Sequence, residues 1–187
     1  MHKHIIETGG AFETPRLIVL PLALGQLRLY LKNDGSLETD LHLVYFPRYI
    51  SGELEEALLQ TVIPNVATSA DDPRLVTLWT MILKSDNRMV GDICFYGPPD
   101  STGQTEIGYG TYAEYQGKGL MTEAIQGMVE WLESQSNVKI VVATTDIANP
   151  SSMAVLTKNG FLNTHNENGQ CFWSRRIIPP PTFPAEK

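Results

Sequence analysis

Between a strand-like run, Gln104 to Tyr112, and an amphipathic stretch beginning at Leu120, the chain reads Gln116-Gly117-Lys118-Gly119-Leu120-Met121. Glycines here can bring backbone amides up to a ligand, because they put no side chain in the way and accept backbone angles that other residues avoid. The first amides of the following helix have no partner inside it, and the aligned peptide dipoles leave positive potential at its start. Phosphate is the guest that suits such a place, and Lys118 would add a nearby cation. A Gly-x-Gly step before a helix is equally what an ordinary tight turn looks like, so the step alone decides nothing. Its surroundings remove two alternatives. A dinucleotide fold would want a parallel βαβ start near the N-terminus and a further glycine, and a P-loop would end in lysine and serine.

Two other places could carry chemistry. Asn149 stands before Pro150, and the run to Asn159 stops at Gly160, which marks a helix with an asparagine cap, a proline in its first turn and a glycine end. A capping asparagine uses its side-chain oxygen and leaves its amide hydrogens free for a ligand. Ser152 lies in the first turn, either to act or simply as a residue suited to helix starts. Glu106, in Glu106-Ile107-Gly108-Tyr109-Gly110, is a strand carboxylate that could be a base or could face water. Gly108 and Gly110 would let a ligand approach that strand closely. His2 and His4 sit in the leading segment and His42 and His165 are isolated, so no metal-ligand spacing exists and no metal is expected.

The elements that would position these residues follow from periodicity. Arg16 to Leu20 reads as a strand, and Leu22 to Lys32, with leucines at 24, 27 and 31, as a helix. Asn33 to Thr39 is a turn-rich break, and the aromatic segment Leu41 to Ile50 a loop or short helix. Ser51 caps a helix ending near Gln60 or running toward Pro64. Leu75 to Leu83, Met89 to Tyr96 and Gln104 to Tyr112 are three antiparallel strands in meander order. The clearest helix starts at Gly119 and stops near Ser134. Val138 to Thr145 then makes a strand parallel to Gln104–Tyr112 through that crossover. Asn168-Gly169 joins two last strands, Phe161 to Glu167 and Gln170 to Ile178, as a hairpin. The fold class is α+β, a central mixed and mostly antiparallel sheet of about seven strands with helices on both faces.

A chain of 187 residues with 42% hydrophobic content can bury one core, so residues 1–187 are expected to form one domain, with a polar segment at 1–12 and a proline-rich tail at 179–187. Fourteen Lys plus Arg face 21 Asp plus Glu, a net charge of −7 that argues against nucleic acid and suits a cationic substrate. Cys94 and Cys171 make no disulfide framework. No apolar run approaches a membrane span and residues 1–10 are too polar for a signal peptide, so a cytoplasmic protein is expected.

In this order of elements and in these motifs the chain resembles the GNAT superfamily of N-acetyltransferases, most of all its RimJ/RimL-like branch. The family's acyl-CoA loop is Gln or Arg, two residues, Gly, one residue, then Gly or Ala. It is matched from Gln116, with Met121 departing from the small last residue. The resemblance implies that Gln116, Gly117, Lys118, Gly119, Leu120, Met121 and Thr122 bind the pyrophosphate of acetyl-CoA. It implies too that Tyr109, Gly110 and Thr111 hold the pantetheine arm like an added strand, and that Asn149 bonds that arm. Many members place a tyrosine where Leu156 falls, as the acid that protonates the leaving thiolate; Ser152 is the replacement candidate. Glu106 matches the glutamate usually assigned as general base.

The implied reaction is direct attack of a primary amine on the thioester, the acceptor being a protein N-terminus, ribosomal ones included, or a small amine such as a polyamine or aminoglycoside. Deprotonating an α-amino group at pH 7 costs about 1 kcal/mol, and a lysine amine about 4 to 5. A solvated carboxylate is too weak a base for either, so Glu106 would act desolvated or through a water. Tyr45, Phe46 and Tyr49, with the helix from Leu22 to Lys32, are the expected wall of the acceptor pocket. A homodimer is compatible with the resemblance. The missing tyrosine leaves open a second class, an acyl-CoA-binding sensor or assembly module that keeps the fold without turnover.

Overall fold

The computed structural model describes residues 10–69 and 72–178; the proline-rich tail and most of the polar leading segment lie outside them. Eight strands form one sheet in the order β1-β2-β3-β4-β5-β6-β8-β7. They are β1 Phe12–Glu13, β2 Leu17–Pro21, β3 Leu78–Leu83, β4 Arg88–Phe95, β5 Gln104–Thr111, β6 Ile140–Asp146, β7 Leu162–Glu167 and β8 Gln170–Arg176. Neighbours are antiparallel except β5 and β6, which pair parallel through the crossover helix α5, Leu120–Glu133. The expectation of about seven strands missed β1, whose two residues pair with Val19 and Ile18 and are too few to show a period.

Helices cover both faces. On one lie α1 Leu24–Lys32, α2 Ser36–Asp40 and the run from α3 Gly52–Ala57 to α4 Ile63–Thr68. On the other lie α5 and α6 Pro150–Lys158. Each face has its own core. Leu27, Tyr30, Leu37 and Leu58 meet Ile18, Leu78 and Cys94 on the first. Ala124, Ile125, Met128 and Leu132 meet Trp79, Ile93, Phe95 and Ile107 on the second.

Some boundaries depart from the periodicity. Ser51 caps α3 as expected, its Oγ accepting from Leu54 N at 3.2 Å. The helix does not stop near Gln60 or Pro64, because a π-helical turn, Leu58–Val62, carries it on to Thr68. A proline has no amide to donate and crowds the preceding turn, and the wider π turn relieves that conflict. Ser36–Asp40 is a short helix inside the expected break. Leu75 and Val76 leave the expected strand for a 3₁₀ turn, Pro73–Val76, started by Asp72, whose carboxylate accepts from Arg74 N at 3.0 Å.

The first core contains a buried polar network. Tyr30 and Tyr112 both donate to Asp92 Oδ2, at 2.8 and 2.9 Å. Arg48 lies over the Tyr30 ring at 4.5 Å, donates to the Tyr30 carbonyl at 3.0 Å and pairs with Glu38 at 2.5 Å. This anchors the irregular segment 43–50 against α1 and α2. Burial pushes the Asp92 carboxyl up to about 6, against the opposing pull of the two phenols.

Because that value lies above the unfolded one, the folded state holds its proton more tightly. The associated stability is present at low pH and lost as pH rises through about 4 to 6. A carboxyl raised to about 6 contributes in this way about 3 kcal/mol. Urea unfolding of wild type and Asp92→Asn between pH 4 and pH 7 should therefore show the stability difference moving against wild type by about that amount. A difference that stays flat across the window contradicts this.

Candidate active site

β5 and β6 share only three residue pairs, Gln104 with Ile140, Thr105 with Val141 and Glu106 with Val142. Beyond them β5 keeps β4 as its partner to Thr111, while β6 continues with β8 to Asp146. The two strands form a fork, and the backbone groups of β5 beyond it border a cleft of about 600 Å³ on the α5–α6 side. Its other walls are the Gln116–Thr122 segment and the first turn of α6. A second cleft of about 670 Å³ is walled by Arg48, Tyr49, Glu53 and Leu54 and by Asp92 and Tyr96. Cys94, which also borders it, belongs to the core under α1, so the two clefts lie on opposite faces of the sheet. Tyr109, Gly110, Thr111 and Gln116 border both.

The glycine loop has the geometry its sequence suggests. Gly117 and Gly119 have φ of 71° and 73°, and Gly119 caps α5 in the left-handed region. Leu120 and Met121 are buried in the core, so what they can offer a ligand is backbone. Gln116 donates from Nε2 to the Thr111 carbonyl at 3.1 Å and ties the loop to the end of β5. Lys118 Nζ lies 4.9 Å from the centre of the Tyr115 ring.

Arg16, which the sequence did not single out, braces the same loop. It donates to the Lys118 carbonyl at 2.9 Å and pairs through Nε with Glu123 at 2.6 Å. Glu123 also accepts from Thr14 Oγ1 at 2.5 Å and from Arg16 N at 2.8 Å. Burial works against its charge, but these hydrogen bonds hold the Glu123 carboxyl below the usual range. An arginine 107 positions from its partner gives no local signal.

On α6, Asn149 Oδ1 accepts from Ser152 N at 3.0 Å, and its Nδ2 makes no hydrogen bond among the described residues. Ser152 Oγ is 2.9 Å from the Tyr109 hydroxyl, which also lies 3.1 Å from the Ser152 carbonyl. Burial pushes the Tyr109 phenol up to about 12, against the Ser152 hydrogen bond. Leu156 is fully buried, so that position turns into the core. Asn159 donates to the Thr122 carbonyl at 3.2 Å and fastens α6 to α5. This residue too was missed, since at a helix end it reads as a cap.

Glu106 occupies the closed end of the fork, where its Oε1 accepts from Thr144 Oγ1 of β6 at 3.2 Å; it borders neither cleft. Its charge still reaches the second cleft. Burial first, then Cys94, Glu106 and Glu53, raise the Tyr96 phenol above its ordinary value. Tyr96 can lie across β5 because Gly108 is bare; a Cβ there would fall 2.3 Å from the Tyr96 hydroxyl.

The three aromatic residues expected to form an acceptor wall do not share one place. Tyr49 borders the second cleft, but Phe46 packs edge-on against Tyr115 at 5.6 Å and Tyr45 lies against Gly35. The helix that borders the cleft is α3, through Glu53 and Leu54, rather than α1. Periodicity shows that a helix has an apolar face without showing which part of a sheet that face covers. Among the described residues no group of three or more His, Cys, Asp or Glu could hold a metal ion, and no helix is long and apolar enough to cross a membrane.

Residues 16–162 match the family model described as the acetyltransferase (GNAT) domain. The chain belongs to the GNAT acetyltransferase family. It is 32% identical over 95 residues to the uncharacterized N-acetyltransferase YjdG of Bacillus subtilis, an alignment covering 51% of this chain and 56% of that protein. It is 27% identical over 135 residues to the ribosomal-protein-serine acetyltransferase of Escherichia coli, covering 72% of this chain and 70% of that one. Among solved structures, the RimL ribosomal α-N-protein acetyltransferase in complex with coenzyme A superposes with a TM-score of 0.60 at 16% identity, covering 89% of this chain and 97% of that chain.

Gly119→Ala tests the loop. A side chain in the left-handed region costs roughly 1 to 2 kcal/mol; the exposed loop of the free variant escapes that cost by leaving the angle, and restoring it on binding weakens coenzyme A about 5- to 30-fold by calorimetry with little change in melting temperature. Unchanged affinity would mean that this backbone does not hold the coenzyme.

Proposed function

We propose that the chain moves the acetyl group of acetyl-CoA to a primary amine by direct attack in a ternary complex. One observation carries this reading: two clefts on opposite faces of the sheet open onto the same stretch of β5, so a donor held in one can meet an acceptor held in the other. On the donor side, backbone amides from Gly117 to Thr122 receive the diphosphate, with Lys118 close by. The open edge of β5 from Tyr109 to Thr111 and Asn149 Nδ2 receive the pantetheine arm. Such placement brings the thioester to the fork, near Ser152, with a backbone amide of β5 available to polarise its carbonyl.

The acceptor enters from the other face. Glu53 and Glu114 border that cleft together with Tyr49 and Tyr96, and the guanidinium in its wall, Arg48, is already paired with Glu38, so the exposed carboxylates and phenols favour an approaching cation. A protein N-terminus is the acceptor that the relatives' names support, two of them being ribosomal-protein acetyltransferases. An α-amino group is also the cheaper amine to deprotonate. Glu106 takes the proton from the attacking nitrogen, through a water at the closed end of the fork. A cytoplasmic setting fits the two free buried thiols, Cys94 and Cys171.

Glu106→Gln should lower thiol release from acetyl-CoA with an N-terminal peptide acceptor by about 10²- to 10⁴-fold, leaving coenzyme A affinity near wild type. Turnover equal to wild type removes Glu106 from the mechanism. Coenzyme binding without thiol release over a panel of amines would favour the sensor instead.

A further inference from the structure

The acid position that Leu156 leaves empty has a neighbour on the opposite wall of the donor cleft. Tyr109 reaches across from β5 to the first turn of α6, and its hydroxyl finds two oxygens of a single residue, Ser152 Oγ at 2.9 Å and the Ser152 carbonyl at 3.1 Å. It also borders both clefts, so it stands where donor and acceptor would meet.

A phenol carries one proton. If it donates to the Ser152 carbonyl, its oxygen is left to accept from Ser152 Oγ–H, and the serine proton points at the tyrosine. If it donates to Ser152 Oγ, the serine proton is released toward the cleft. We propose that Tyr109 is the positioning residue of Ser152: with a thioester in the cleft, the phenol turns its proton onto Ser152 Oγ and thereby aims the serine hydroxyl at the sulfur. The inference rests on the acetyl-transfer reading.

The bookkeeping is that of a hydrogen bond and not of an acid. The amine nitrogen bonds to the acyl carbon, the carbon–sulfur bond breaks and its electron pair goes to sulfur. Nitrogen loses one proton by way of Glu106 and water, and water returns one to the thiolate. A phenol is protonated at neutral pH and burial pushes this one further up, to about 12, so Tyr109 and Ser152 both remain neutral. A hydrogen bond to a developing anion is stronger than one to a neutral sulfur, which is the condition for helping the transition state more than the bound substrate.

Kinetics of Tyr109→Phe, Ser152→Ala and the double variant test the pair. Each single change should lower kcat about tenfold, with KM for acetyl-CoA and the coenzyme A Kd within about twofold of wild type and the pH profile unshifted. The double variant should fall no further than Ser152→Ala, because the phenol acts only through the serine. Losses that multiply, or a Tyr109→Phe enzyme with wild-type kcat, overturn the proposal, as does a Tyr109→Phe loss confined to melting temperature or affinity. A wild type that releases no thiol with any amine sinks the acetyl-transfer reading instead. The pairing is then read with 3-fluorotyrosine at position 109 by fluorine NMR. Saturation with coenzyme A should move its signal, and Ser152→Ala should change the size or direction of that movement; a movement identical in wild type and Ser152→Ala rejects it.

Discussion

The short parallel ladder between β5 and β6 is the constraint on which the rest depends. Strands in a sheet twist relative to one another, and two that stop exchanging hydrogen bonds drift apart. Here the exchange stops after Glu106 and Val142. Had it continued to Thr111, the outward backbone of β5 would be spent on β6 and no edge would face the cleft on the α5–α6 side. The fork therefore leaves, from main chain alone, an unpaired edge on β5 at the stretch that both clefts border.

Holding a fork open takes rigid walls, and each face supplies one differently. On the α5–α6 side the wall is apolar and continuous, Leu120, Ile125, Met128 and Leu132 packing on Ile107 and Val141, with Asn159 tying α6 to α5 across their polar ends. On the other side the wall rests on Asp92, Tyr30, Arg48 and Glu38. Such a network adds less stability than hydrocarbon of the same volume, since burial opposes the charge it contains. What it does provide is a fixed location for the irregular segment 43–50, which has no ladder of its own. Tyr49 and Arg48 reach the second cleft because that segment is held there.

How much of this was readable from the chain depended on range. The start of α5 at Gly119, the Asn149 cap, the Gly160 stop and the Asn168-Gly169 hairpin stand where the residues suggested, the last pair with φ of 49° and 78°. The continuation of α3 past Pro64 was hidden because a proline normally ends a helix and nothing nearby announces a π turn. The places of Tyr45, Phe46 and Tyr49 were hidden for a similar reason: they are alike in composition, yet one borders the second cleft and two pack elsewhere.

By itself the sequence determined whatever is settled among neighbours along the chain: which residues cap a helix, where a glycine must take a left-handed angle, which face of a helix is apolar. Those preferences act over a few residues, so they survive without knowledge of the fold. Only the tertiary structure decided the pairs that make a site of them. Arg16 with Glu123, Tyr30 with Asp92 and Tyr109 with Ser152 are 107, 62 and 43 positions apart. Contacts at that range depend on strand order and register together, and those are set by the packing of whole layers of side chains, which no short stretch of residues contains.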